Sequence, residues 1–122
     1  MNYEKFKQRL IKYIIKSQPA VWIKSKEKES STTYTLNKDY RIVMTQIFYW
    51  EHSGYGAITT DRHRFEISVY DNGPDPSPFY QDSVRLDSDP EYKELAKFRK
   101  KIDKAREKVI ERTMNKFFEW MD

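Results

Sequence analysis

Two histidines, His52 and His63, fall in one short stretch that also holds Glu51, Asp61 and Glu66. An imidazole titrates near neutral pH, so histidine suits acid–base work and, as a neutral ligand, metal binding. Asp61, Arg62, His63, Arg64 and Glu66 could together supply a base, a cation and an acid for metal-independent RNA cleavage centred on His63. Metal binding fits less well, because no pair has the helical His-x-x-x-His spacing. The chain has no cysteine, which excludes thiol catalysis, disulfides, Cys-ligated zinc and iron–sulfur clusters. It has no phosphate-binding glycine loop, nucleophile elbow or dinucleotide fingerprint. The expectation is therefore a protein that is not an enzyme and holds no metal and no cofactor. A small ribonuclease using His63 is the catalytic alternative.

Cations form the second group with chemical potential. Residues 1–28 carry eight Lys/Arg against two Asp/Glu, residues 29–91 five against eleven, and residues 92–122 ten against six. Two basic ends thus flank an acidic middle. Basic helices lying near an acidic sheet would account for this. A basic surface for RNA or DNA would account for it too, drawing on Lys5, Lys12, Lys16, Arg62, Arg64, Lys97, Lys101 and Arg112. The chain is also rich in aromatics, at 16 % with nine tyrosines and three tryptophans. Such residues build cores and interface hot spots alike.

These side chains must be positioned by a single domain, because 122 residues fit one compact unit. Tyr3, Phe6, Leu10 and Ile14 recur at helical spacing, with Ile11 and Ile15 widening the stripe, and predict a helix over residues 2–17. Pro19 ends it. Residues 20–87 read as sheet. Val21–Ile23 and Thr32–Leu36 are β-prone, and Asn37–Asp39 is a turn. Tyr40 to Trp50 alternates with both faces largely apolar, which predicts a central strand. A loop follows, with a short strand at Ala57–Thr60 and Tyr55 flanked by Gly54 and Gly56. Phe65, Ile67 and Val69 alternate with Arg64, Glu66, Ser68 and Tyr70, giving one buried and one wet face. Gly73 to Pro78 cannot be helix or inner strand. Val84 and Leu86 suggest an edge strand.

A long helix should occupy residues 89–121, capped by Ser88 or Asp89 with Pro90 at its first position. At about 1.5 Å per residue it would overhang a domain of this size. Leu95, Phe98, Ile102, Ala105 and Val109 make one apolar face. Ile110, Met114, Phe117 and Met121 make another, rotated by about a quarter-turn. The tail should therefore pack on something else, either the first helix or a second subunit. Lys100–Asp103, Lys104–Glu107 and Lys108–Glu111 stand at pairing distance and suggest a solvated, salt-bridged helix.

The order helix, strands, helix resembles the double-stranded-RNA-binding domain in topology, and His63 to Val69 is similar to that family's middle strand. That family opens its last helix with clustered lysines, whereas Ser88-Asp89-Pro90-Glu91 stands here. The resemblance implies RNA binding. The residues themselves favour an α+β fold, with a mostly antiparallel sheet of four or five strands flanked by an N-terminal helix and a long C-terminal helix. The expected function is a non-catalytic binding or regulatory protein, a small inhibitor or adaptor acting on a larger protein or nucleoprotein. Its interface would comprise Tyr55, Ile110, Met114, Phe117, Phe118 and Met121, with homodimerisation through the C-terminal helix. Lysine-, isoleucine- and tyrosine-rich usage suits a low-GC bacterium or its phage. Lysines interrupt residues 1–16, and no apolar run could span a bilayer, so a cytoplasmic location without a membrane partner is expected.

Overall fold

The computed structural model describes residues 2–25, 31–48, 50–52, 59–61 and 63–122, with backbone only for 50–52 and 59–61. Helix α1 spans Tyr3–Lys16 and is capped by Asn2, whose side chain accepts from the Lys5 amide. A 3₁₀ turn follows at Pro19–Val21. The strands are β1 (Ile23–Lys24), β2 (Ser31–Asn37), β3 (Tyr40–Ile47), β4 (Trp50–His52), β5 (Thr59–Asp61), β6 (Arg64–Asp71) and β7 (Tyr80–Arg85), and helix α2 spans Glu91–Met121. The chain is thus α+β, with a five-stranded antiparallel sheet of order β1-β2-β3-β6-β7. β3 is its middle strand, as its two-sided apolar pattern predicts. β4 and β5 continue the β3–β6 hairpin in the same register, since Ile47 faces Arg64 and Trp50 faces Asp61.

Both helices cover one face of the sheet. That face carries Tyr34, Leu36, Ile42, Met44, Phe65, Ile67, Val69, Tyr80 and Val84, all buried in one cluster with Ile11 and Ile14 of α1 and Tyr92, Leu95, Phe98 and Ile102 of α2. Three ring contacts fix the layers: Phe6 on Tyr80, Tyr92 on Phe65, and Trp22 edge-on to Phe98. The opposite face is polar and open. There the Thr33 and Thr45 hydroxyls bond across strands, the Arg41 guanidinium sits 4.2 Å over the Tyr70 ring, and Arg64 pairs with Glu66 at 3.0 Å.

Two local expectations are corrected. Val21–Ile23 is mostly not strand, because Pro19 starts a 3₁₀ turn and the Trp22 indole is pulled inward to donate to Ser17 Oγ. Of the short strand expected at Ala57–Thr60, Thr59 and Thr60 lie in β5, and the rest lies outside the described residues. The predicted side-chain cap of α2 does not form: Pro90 holds the cap position without a side-chain hydrogen bond. The Asp89 carboxylate is used elsewhere, accepting from the Arg85 amide at 2.8 Å and facing Lys7 at 3.9 Å. Lys7 also donates to the Ser83 carbonyl. The outer edge of β7 is thereby occupied at Ser83 and Arg85, which disfavours strand addition there.

Burial raises the pKa of two phenols, Tyr34 and Tyr80; Asp82 pushes Tyr80 further, while Arg99 partly offsets the shift at Tyr34. A raised pKa in the folded state leaves these contributions intact up to about pH 10 and removes them as pH climbs further. Spectrophotometric titration, with Tyr34→Phe and Tyr80→Phe variants to assign the signals, should therefore show these two phenols ionising above the ordinary tyrosine range. Ionisation of Tyr34 and Tyr80 at the ordinary tyrosine pH would contradict it.

Candidate functional site

From Glu91 to Ile102 helix α2 packs on the sheet; from Arg106 to Asp122 every residue is exposed. No glycine or proline interrupts residues 91–122, so the helix runs on past the body as an arm of 17 residues, about 25 Å long. The arm is not polar. Ile110, Met114, Phe117, Phe118 and Met121 are each about half exposed, and Trp120 is 79 % exposed. The first helix was one of two expected partners for this segment. α1 instead packs beside the sheet-bound half of α2, where Lys12 and Ile15 share a groove with Glu94 and Phe98, and among the described residues none buries the arm.

The arm is rooted by a charged cluster. Tyr34 donates to Asp103 Oδ1 at 3.1 Å, and Arg99 Nε donates to the Tyr34 hydroxyl at 2.8 Å. Lys24 of β1 reaches Asp103 at 3.4 Å, and Arg99 reaches it at 3.3 Å. This cluster ties β1, β2 and α2 together at the last point before the helix leaves the body. A Tyr34→Phe variant removes two of these bonds from a largely desolvated site. It should lose about 1–2 kcal/mol in urea unfolding, and an unchanged midpoint would show that the cluster does not anchor the arm.

A second surface lies between the helices. Lys12, Lys16, Lys97 and Lys101 line one groove of about 350 Å³, together with Ile15, Phe98 and Glu94. A third is an apolar cleft of about 440 Å³ beneath Tyr13, Tyr40 and Phe79, floored by Phe6, Leu10 and Val69. Tyr40 and Phe79 meet edge-on across it at 6.1 Å.

No protein-family model, curated protein or solved structure matches the chain.

Of the residues expected to carry function, five interface positions (Ile110, Met114, Phe117, Phe118 and Met121) are brought together on the arm, while Tyr55 lies outside the described residues. Of the eight expected nucleic-acid contacts, Lys12, Lys16, Lys97 and Lys101 converge. Lys5 and Arg112 do not line that groove, Arg64 is engaged with Glu66 on the open sheet face, and Arg62 lies outside the described residues. His63 is half-buried, edge-on to Phe48 at 4.9 Å. It follows the alternation of Phe65 on the helix side of the sheet, whereas Arg64 and Glu66 follow the other. Strand geometry thus sets His63 on the face opposite Arg64 and Glu66. Nothing is described for the side chains of Glu51, His52 and Asp61. Among the described residues no three His, Asp or Glu side chains cluster at metal-binding distance. No described helix is long and apolar enough to cross a membrane.

The pairs Lys100–Asp103, Lys104–Glu107 and Lys108–Glu111 are not closed. Asp103 turns instead to Arg99, Lys24 and Tyr34. The aromatic cleft escaped the sequence reading. Tyr13 stands outside the α1 stripe, and a large aromatic off the buried stripe was the available signal.

Proposed function

We propose that this is a non-catalytic binding protein of the adaptor or inhibitor kind, which assembles with a second copy of itself through the α2 arm. The observation that carries this reading is the exposed apolar face of Arg106–Asp122. Ile110, Met114, Phe117 and Met121 repeat at spacings of four, three and four, the seam of a two-helix coil. A monomer would leave that seam in water at a cost of about 25 cal/mol per Å².

Charge and dipole select the orientation. Residues 104–112 hold four Lys/Arg and two Asp/Glu, and residues 113–122 hold one and two. An antiparallel pair sets the basic half of each arm against the acidic half of the other and opposes the helix dipoles. A parallel pair sets like against like. The paired arms would hold two sheet domains apart, leaving the cleft under Tyr13, Tyr40 and Phe79 free on each for the larger protein partner. Sedimentation at micromolar concentration should give twice the chain mass. A monomer with its helix content intact would overturn the reading and leave the arm to the groove of a different protein.

A further inference from the structure

We propose that the groove between α1 and α2 binds the phosphate backbone of a nucleic-acid duplex through Lys12, Lys16, Lys97 and Lys101. These four ammonium groups come from two helices and share one groove, and among the described residues none of them is in an ion pair. Each helix contributes two lysines at i,i+4, about 6 Å apart along its axis. Like charges at that spacing repel, and here two such pairs face one another. Glu94 is the one acidic residue lining the groove.

Apart from Glu94, the carboxylates next along α2, Asp103 and Glu107, point elsewhere. At about 100° per residue, Asp103 lies roughly 160° around α2 from Lys101 and Glu107 roughly 120°. The contacts of Asp103 with Tyr34 and Lys24, on the β1 side, agree with this placement. Lys108 and Arg112 lie within about 20° of the Lys101 line, so the cationic track continues from the groove onto the arm. Ile110, Phe117 and Met121 lie about 160–180° from that line. Pairing of the arms through their apolar seam therefore leaves the cationic track uncovered.

The ligand's class follows from what the groove lacks. Its apolar members are Ile15 and Phe98, and Phe98 is buried. No exposed aromatic lines it, so bases have nothing to stack on, and a single strand gains little. Lysine is a point charge without the planar fork that reads base edges. Contacts to phosphate alone imply sequence-independent binding that weakens with salt.

The test is fluorescence anisotropy of the full chain with a labelled duplex of arbitrary sequence, titrated at several salt concentrations. Four neutralised phosphates predict a slope of log K against log salt of about −3.6. The Lys12→Gln, Lys97→Gln double variant should lower that slope by about 1.8, while Lys5→Gln, outside the groove, leaves it unchanged. Circular dichroism of each variant establishes that it is folded. Absence of binding at about 20 mM salt, or an unchanged slope when all four lysines are replaced, would overturn the proposal. Binding to vesicles containing anionic lipid with no binding to the duplex would also overturn it, and would assign the groove to a membrane surface.

Discussion

Replacing Met114 and Phe117 with glutamate is expected to abolish the proposed pairing of the α2 arms without unfolding the chain. Both side chains are about half exposed in the single chain, so the monomer gives up little packing when they change. In the antiparallel pair both would be buried on the seam, next to Ile110 and Met121 of the other copy. A carboxylate there must either lose its hydration or splay the helices. Burying an unpaired charge costs several kcal/mol, and each 1.4 kcal/mol is about tenfold in dissociation constant. Two such changes on each arm should weaken association by about 100-fold or more. Sedimentation would show the loss of mass and circular dichroism an unchanged helix content. The control is Lys116→Glu, which lies off the seam and should leave the dimer in place. If the double variant sediments like the parent, the arm is not the interface.

The largest stability effect is expected at the other end of the same helix. Phe98→Ala should cost about 3–5 kcal/mol, a large share of the 5–15 kcal/mol typical of a whole domain. Phe98 is 2 % exposed and stands edge-on to Trp22 with ring centroids 5.9 Å apart. Trp22 is in turn fixed by its indole bond to Ser17 at the end of α1. Truncation would open a cavity where α1, the 3₁₀ turn and α2 meet, and rings held by such specific contacts cannot collapse into it. Urea unfolding measures the loss, and less than about 1 kcal/mol would show that the junction repacks. The contrast with Phe117 is informative. The two phenylalanines lie on one continuous helix, yet Phe117→Ala should barely change the stability of the single chain. One side chain belongs to the fold and the other to the proposed interface.

Much of this architecture was legible in local patterns. The α1 stripe, the alternation of Phe65, Ile67 and Val69, and the uninterrupted run after Pro90 each follow from backbone periodicity, which acts over a few residues. The arm's exposure was half legible. Its rotated apolar face showed that the tail does not continue the first face. Whether α1 folds back to cover it depends on where α1 lies, which no local pattern records. The same limit applies to charge. Lysines four apart can be read along one helix, but the approach of Lys12 and Lys16 to Lys97 and Lys101 requires two helices to lie side by side. Capping failed for a related reason: Asp89 had a competing donor in the Arg85 amide, offered by the end of β7.

By itself, then, the sequence determined the α+β class, the exclusion of thiol chemistry, the central place of Tyr40–Ile47 and the length of α2. These depend on residue type, on the alternation of apolar and polar positions, and on the absence of helix breakers. Tertiary structure alone decided that His63 is separated from Arg64 and Glu66, that four lysines share a groove, and that Arg106–Asp122 leaves the body uncovered. Those outcomes turn on distances between residues far apart in the chain, set when the two helices settle on one face of the sheet to bury the apolar cluster. The histidines with which chemistry seemed to begin carry the least of the proposed function. The lysines and the apolar arm carry the most.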